Sequence, residues 1–169
     1  MRFLAFIGLL AMIAVILVGG YFFGGFFDVG ASWEDPKPVA AALTRVRTAS
    51  IARRAQASPP MPLDEATTIS TGARHYAKYG CTSCHGAPGV EWSKFSEGLN
   101  PGPPDLKDIA NERAPAELFF VVKNGIRMTG MPSFGKAGVP DTEVWQIVAF
   151  VKKLPNVSEA DYKSWTAAQ

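Results

Sequence analysis

The hydrophobic pattern divides the chain into three stretches. From Phe3 to Phe27 no residue is charged and almost all are apolar. As a helix, these 25 residues cover about 37 Å, enough for a hydrocarbon layer of roughly 30 Å. Arg2 precedes the run, and Tyr21, Phe22, Phe23, Phe26 and Phe27 crowd its far end like an interfacial aromatic belt. Residues 1–27 therefore read as an N-terminal transmembrane anchor. The alternative is a signal peptide. Its apolar core is usually only about 7–15 residues, but Val29-Gly30-Ala31 is a passable cleavage site.

Residues 28–62 read as a helical connector. Asp35-Pro36 has the form of an N-cap followed by a first-turn proline. An Ala- and Arg-rich run follows, with Val39, Leu43 and Val46 at helical spacing, and predicts a helix of about 20 residues. Ser58-Pro59-Pro60-Met61-Pro62 ends it as a stiff link. Arg45, Arg47, Arg53 and Arg54 suit a solvated face, a lipid surface or a partner subunit.

Residues 63–169 carry a third pattern, helical with Gly/Pro-rich loops. One helix is predicted from about Asp64 to Tyr79, with Ile69, Gly72, Ala73 and Tyr76 on one face. A second runs from about Pro115 to Asn124, with Glu117 near N3 and Gly125 as its stop. A third runs from about Thr142 to Leu154, capped by Asp141 and halted by Pro155. A tail helix is expected from about Glu159 to Ala167. No alternating strand pattern is visible, so the fold class is all-α.

Composition changes this picture little. Net charge is +2 and charged residues make up 19%, which excludes a polyanion-binding signature. Mean hydropathy is +0.06, with the excess in the first 27 residues. The only cysteines are Cys81 and Cys84.

Those cysteines lie in Cys81-Thr82-Ser83-Cys84-His85, the attachment pattern of a c-type haem. One helical turn presents two sulfurs to the two vinyl groups along a porphyrin edge. The next residue, His85, can then supply an iron ligand. Zinc would need a fourth ligand, and the only other histidine is His75. A thioredoxin-like pair expects a βαβ pattern, and a two-residue disulfide leaves His85 unexplained. His75 reads as a surface residue, because its turn of helix should point away from the ring.

The sixth iron position falls to the loop Arg127-Met128-Thr129-Gly130-Met131-Pro132-Ser133-Phe134-Gly135. A thioether favours ferrous iron and raises the potential. Met131 is the first candidate, since Pro132 restricts its backbone and Phe134 is placed to pack on the ring. Met128 is the alternative. The loop Gly98–Leu106 lacks three backbone donors, at Pro101, Pro103 and Pro104. Its free carbonyls suit the N–H of a metal-bound histidine.

Taken together, residues 64–155 resemble class I c-type cytochromes, specifically membrane-anchored monohaem cytochromes of proteobacteria. The matching pieces are Gly72-x-x-x-Tyr76, C-T-S-C-H-G at 81–86, G-P-P-D-L at 102–106, G-M-P-S-F at 130–134 and W-Q-I-V-A-F-V-K-K-L-P at 145–155. The resemblance implies the class I cytochrome c fold: helices wrapped round one covalent haem c, with an N-terminal transmembrane helix. It implies first and last helices crossing nearly at right angles, with Gly72 and Tyr76 against Trp145 and its neighbours. It further implies that the Pro104 carbonyl accepts the His85 ring N–H and that Met131 is the distal ligand. The segment between Gly86 and Pro103 is longer than in compact members, and its Trp92 and Phe95 are expected to shield a haem edge.

The implied function is one-electron transfer in a respiratory or photosynthetic chain, by an electron carrier rather than an enzyme. The carrier is a tethered shuttle or the cytochrome subunit of an oxidoreductase complex. Its partners are then the membrane and redox proteins such as a quinol-oxidising complex, a dehydrogenase or a terminal oxidase, with no nucleic acid and no small-molecule substrate. The expected place is the bacterial inner membrane, single-pass, haem domain on the periplasmic face. A count of positive charges opposes this, because Lys37, Arg45 and Arg47 follow the span and only Arg2 precedes it. Haem attachment outside the cytoplasm overrides the count. The alternative function is a haem sensor or peroxidase-like enzyme with an open sixth position.

Overall fold

The computed structural model describes residues 2–167. Among them there is no strand, only an isolated bridge between Ala87 and Val90. The chain forms two compact units, the first ending at Glu34 and the second beginning at Asp35.

The first unit holds helix α1, Arg2–Phe23. Its 22 residues make it long and apolar enough to cross a membrane. The helix stops before the predicted Phe27 because Gly24 and Gly25 turn the chain. Gly25 adopts φ +77°, which only glycine takes at no steric cost. The turn brings Phe27 back onto Tyr21 and Phe22, with ring centroids 6.3 and 5.0 Å away.

The second unit begins with α2, Lys37–Arg54. Its N-cap is Pro36, not Asp35 followed by a proline at N1, and no side chain caps it. Asp35 sits one residue too early to reach the free amides, while Pro38 occupies the first turn, where a missing N–H costs nothing. The helix ends at Arg54, whose guanidinium donates back to Ser50 Oγ at 2.8 Å, before the proline link is reached.

Helix α3 is Ala66–Lys78, and a short turn, α4, spans Thr82–His85. After them come α5, Leu106–Ile109; α6, Pro115–Asn124; α7, Asp141–Lys153; and α8, Glu159–Thr166. The 13-residue α7 is the centre of the core, and seven of its residues are buried. So wide an apolar face exceeds one stripe because both α3 and α6 pack on it.

α3 presents Ile69, Gly72, Ala73 and Tyr76 as predicted, with Thr68 added to the buried stripe. A Cβ at Gly72 would run into the Gln146 carbonyl of α7, so the two backbones touch. Tyr76 packs on Phe150 at 5.1 Å. Gly72 and Tyr76 thus meet the neighbours of Trp145. The Trp145 ring itself stacks on Phe119 of α6, 4.2 Å between centroids and 14° between planes.

The start of α6 matches expectation, and the start of α7 differs in detail. α6 starts with Pro115, and Glu117 accepts from the Ala114 amide at 3.0 Å. This half of a capping box is all that an alanine N-cap allows. Asp141 is not the cap of α7 but its first residue, the cap being Pro140. Its carboxylate instead accepts from Lys123 Nζ at 2.7 Å, tying α7 to the end of α6. After Lys153 the chain tightens into a 3-10 turn, Leu154–Asn156, around Pro155.

The contact at Gly72 gives a direct test. Gly72→Ala should lower the stability of the holoprotein by about 1–3 kcal/mol, read from its urea midpoint in detergent. An unchanged midpoint would show that the seam between α3 and α7 is loose.

Candidate haem site

The attachment turn grows out of α3. Gly80 takes φ +74° and redirects the chain, and the Cys81 amide donates to Tyr76 O at 3.1 Å. His85 N then bonds Cys81 O at 3.0 Å, closing one helical turn on which Cys81, Cys84 and His85 sit together. Both thiols are free and half-buried. Burial pushes the Cys81 thiol up to about 12, marking apolar surroundings at its sulfur. The buried Tyr76 phenol donates to Gly86 O at 2.8 Å and pins the far end of the turn to α3. Burial raises its pKa, so it stays a donor.

His85 donates from Nδ1 to the Pro104 carbonyl, 2.9 Å away. Nε2 has no hydrogen bond among the described residues. Burial lowers the His85 pKa against the opposing pull of the Pro104 bond, which favours neutral imidazole. The loop carrying Pro104 is held at its far end. Asp105 caps α5 by accepting from Lys107 N at 2.8 Å. Lys152 reaches from α7 and donates to Ala110 O at 2.5 Å and Arg113 O at 3.2 Å. Neither the Tyr76 nor the Lys152 bond was foreseen. A lysine at a helix end reads as solvated, and no local pattern names a carbonyl some forty residues away.

Met131 lies in a loop closed on itself. Ile126 N donates to Met131 O at 3.2 Å, Thr129 Oγ to Ile126 O at 2.8 Å, and Met131 N to Thr129 Oγ at 3.1 Å. The loop then zips onto the end of α6, where Ser133 Oγ and Gly135 N both donate to Lys123 O. Gly125, at φ +67°, lets this happen, since a Cβ there would lie 2.7 Å from Met131 O. Met131 is half-buried. Met128 takes φ +62° and is 89% exposed. Phe134 sits at the core edge, its ring 6.2 Å from that of Tyr79.

The aromatic residues of the long segment are partly exposed. Trp92 is 48% and Phe95 62% exposed. Trp92 still lines a cavity of about 400 Å³ with His85, Gly86, Val90, Asp105 and Leu154. His75 is half-buried rather than fully at the surface: its side chain is 18% exposed and reaches from α3 toward Glu143 of α7. Its Nε2 lies 3.4 Å from Glu143 Oε2, and its buried Nδ1 has no hydrogen-bond partner among the described residues. The same carboxylate accepts from the Tyr79 phenol at 2.6 Å and lies 3.6 Å from Lys78 Nζ. The helical period had placed His75 outward, but Glu143 of α7 is a partner that α3 alone does not reveal.

An all-helical domain with this turn, a histidine clamped through one nitrogen, and a methionine loop beyond it is a class I c-type cytochrome. The chain belongs to the family of cytochrome c oxidase, cbb3-type, subunit III, which matches residues 67–151. No curated protein and no solved structure matches the chain. Membership implies covalently bound haem c and haem-based electron transfer. The site fits such a group: two free thiols and a neutral imidazole share one turn, and that imidazole has one nitrogen held and the other free.

The His75 cluster predicts a pH dependence of stability. Arg74, Lys78, Tyr79, Glu143 and Gln146 face the ring, and desolvation lowers its pKa below 6.5 while Glu143 opposes this. The unfolded chain then binds more protons, so stability falls as pH drops below about 6.5 toward the folded value. Glu143, lowered chiefly by the Tyr79 hydrogen bond, adds a second loss below its ordinary 4.5. His75→Gln should flatten the fall in unfolding midpoint between about pH 7 and about 5.5. A variant that keeps the wild-type slope would remove His75 from the account.

Proposed function

We propose that the chain is a membrane-anchored, monohaem, one-electron carrier with His85 and Met131 as axial ligands. In this reading residues 1–27 are the anchor, 28–62 the connector and 63–169 the haem domain, held on the periplasmic face of a bacterial inner membrane. The observation that carries it is the His85–Pro104 bond at 2.9 Å. It fixes the imidazole plane, leaves Nε2 for the iron, and makes the ring a better donor.

Cys81 and Cys84 hold the porphyrin edge by thioethers, and the bound group supplies a one-electron iron couple. The chain's residues then keep that iron closed to other chemistry. Met131, half-buried in its self-closed loop, would be the second residue to hold the iron, ahead of Met128 at the loop's exposed corner. Neither ligating atom, His85 Nε2 or the Met131 sulfur, would carry a proton at neutral pH, and neither ligand needs to leave when the charge changes. Neutral imidazole with thioether also raises the potential. The family supports a place as the cytochrome subunit of an oxidase, with a quinol-oxidising complex on the donor side.

Met131→Ala should keep covalent haem on a denaturing gel but lose the long-wavelength thioether–iron band and lower the potential. Met128→Ala should leave both unchanged. The reverse pattern would reassign the ligand. Residues 62–169 hold 11 Lys/Arg and 12 Asp/Glu, a net of −1, so long-range steering of partners is weak. Electron transfer to an oxidase core should change only a few-fold between about 10 and about 150 mM salt. A steep fall would require a charged docking face.

A further inference from the structure

Residues 93–99 have no role in the reading above, yet they are bonded at three-residue steps. Ser93 N donates to Ser83 O at 2.9 Å, and Ser83 lies between the two cysteines. Ser96 donates twice to Ser93 O, from its amide at 2.9 Å and from Oγ at 2.7 Å. Ser96 is only 3% exposed. Leu99 N then donates to Ser96 O at 3.2 Å. The Leu99 side chain lands on the methionine loop. A Cβ at Gly130 would stand 2.8 Å from Leu99 Cδ1 and 3.0 Å from Cδ2. Gly130 immediately precedes Met131.

We propose that residues 93–99 are a strut between the attachment turn and the methionine loop, and that Leu99 is a positioning residue for Met131. This rests on Met131 being the distal ligand. The loop's own hydrogen bonds keep its shape, Lys123 O ties its far end to α6, and Leu99 backs it at Gly130, beside Met131. Gly130 permits the contact because it has no side chain to hold the strut away. Without the leucyl group the loop swings outward more often. Outside ligands then compete better for ferric iron, in proportion to the fraction of time the sulfur is away.

The test uses the full-length holoprotein in detergent, with imidazole as probe. Leu99→Ala should bind imidazole about tenfold more tightly in the ferric state and show a weaker thioether–iron band. Leu99→Met should restore both. Lys94→Ala, in the same strut but with its side chain 91% exposed, should leave both at wild-type values. Leu99→Val should give a smaller rise, and it covers the case in which the alanine variant does not accumulate. Leu99 variants with covalent haem, native helicity and wild-type imidazole affinity would overturn the strut. A wild-type protein without the thioether–iron band would instead sink the Met131 reading, and the strut's role with it.

Discussion

The backbone contact between α3 and α7 at Gly72 is the constraint on which the rest depends. It sets how near the two helices lie, and the attachment turn hangs from the end of α3. The turn inherits its position through the Cys81 amide, bonded to Tyr76 O, and through the Tyr76 phenol, bonded to Gly86 O. Tyr76 packs on Phe150 of α7. One residue thus serves the core and the turn together. A shift of the helix seam would move both sulfurs and the imidazole as a unit.

The loops that carry Pro104 and Met131 are each tied back to the helix frame. Lys152 of α7 grips the carbonyls of Ala110 and Arg113, which steadies the segment after Pro104. The end of α6 grips the methionine loop through Lys123 O. α6 is in turn fixed to α7 by the Phe119–Trp145 stack and by Lys123–Asp141. α7 is therefore tied to the segment after Pro104 directly, and to the attachment turn and the methionine loop through α3 and α6, while bearing none of the ligand candidates. Small, stiff loops on a rigid helix frame suit an iron that should change charge with little movement.

Much of the fold was legible because its signals are local. α6 begins and ends where Pro115 and Gly125 say it does. The buried stripe of α3 follows from residues three and four apart. Asp35 and Asp141 misled because a capping residue type at a helix start does not fix which residue is the cap. Prolines at 36 and 140 hold the extended backbone there instead. The period of α3 alone left His75 outward, and its partner Glu143 belongs to another helix.

The sequence by itself determined the chemistry: the thiol pair, the imidazole beside it, the proline loop and the methionine loop. These are identities and short spacings, and covalent geometry carries them. The residues already ranked Met131 ahead of Met128, and the resemblance named the Pro104 carbonyl; only the tertiary structure brought that carbonyl to 2.9 Å from His85 Nδ1 and laid Leu99 on Gly130. Each of those joins residues far apart in the chain. Such contacts depend on how α3, α6 and α7 pack, and no single stretch encodes that.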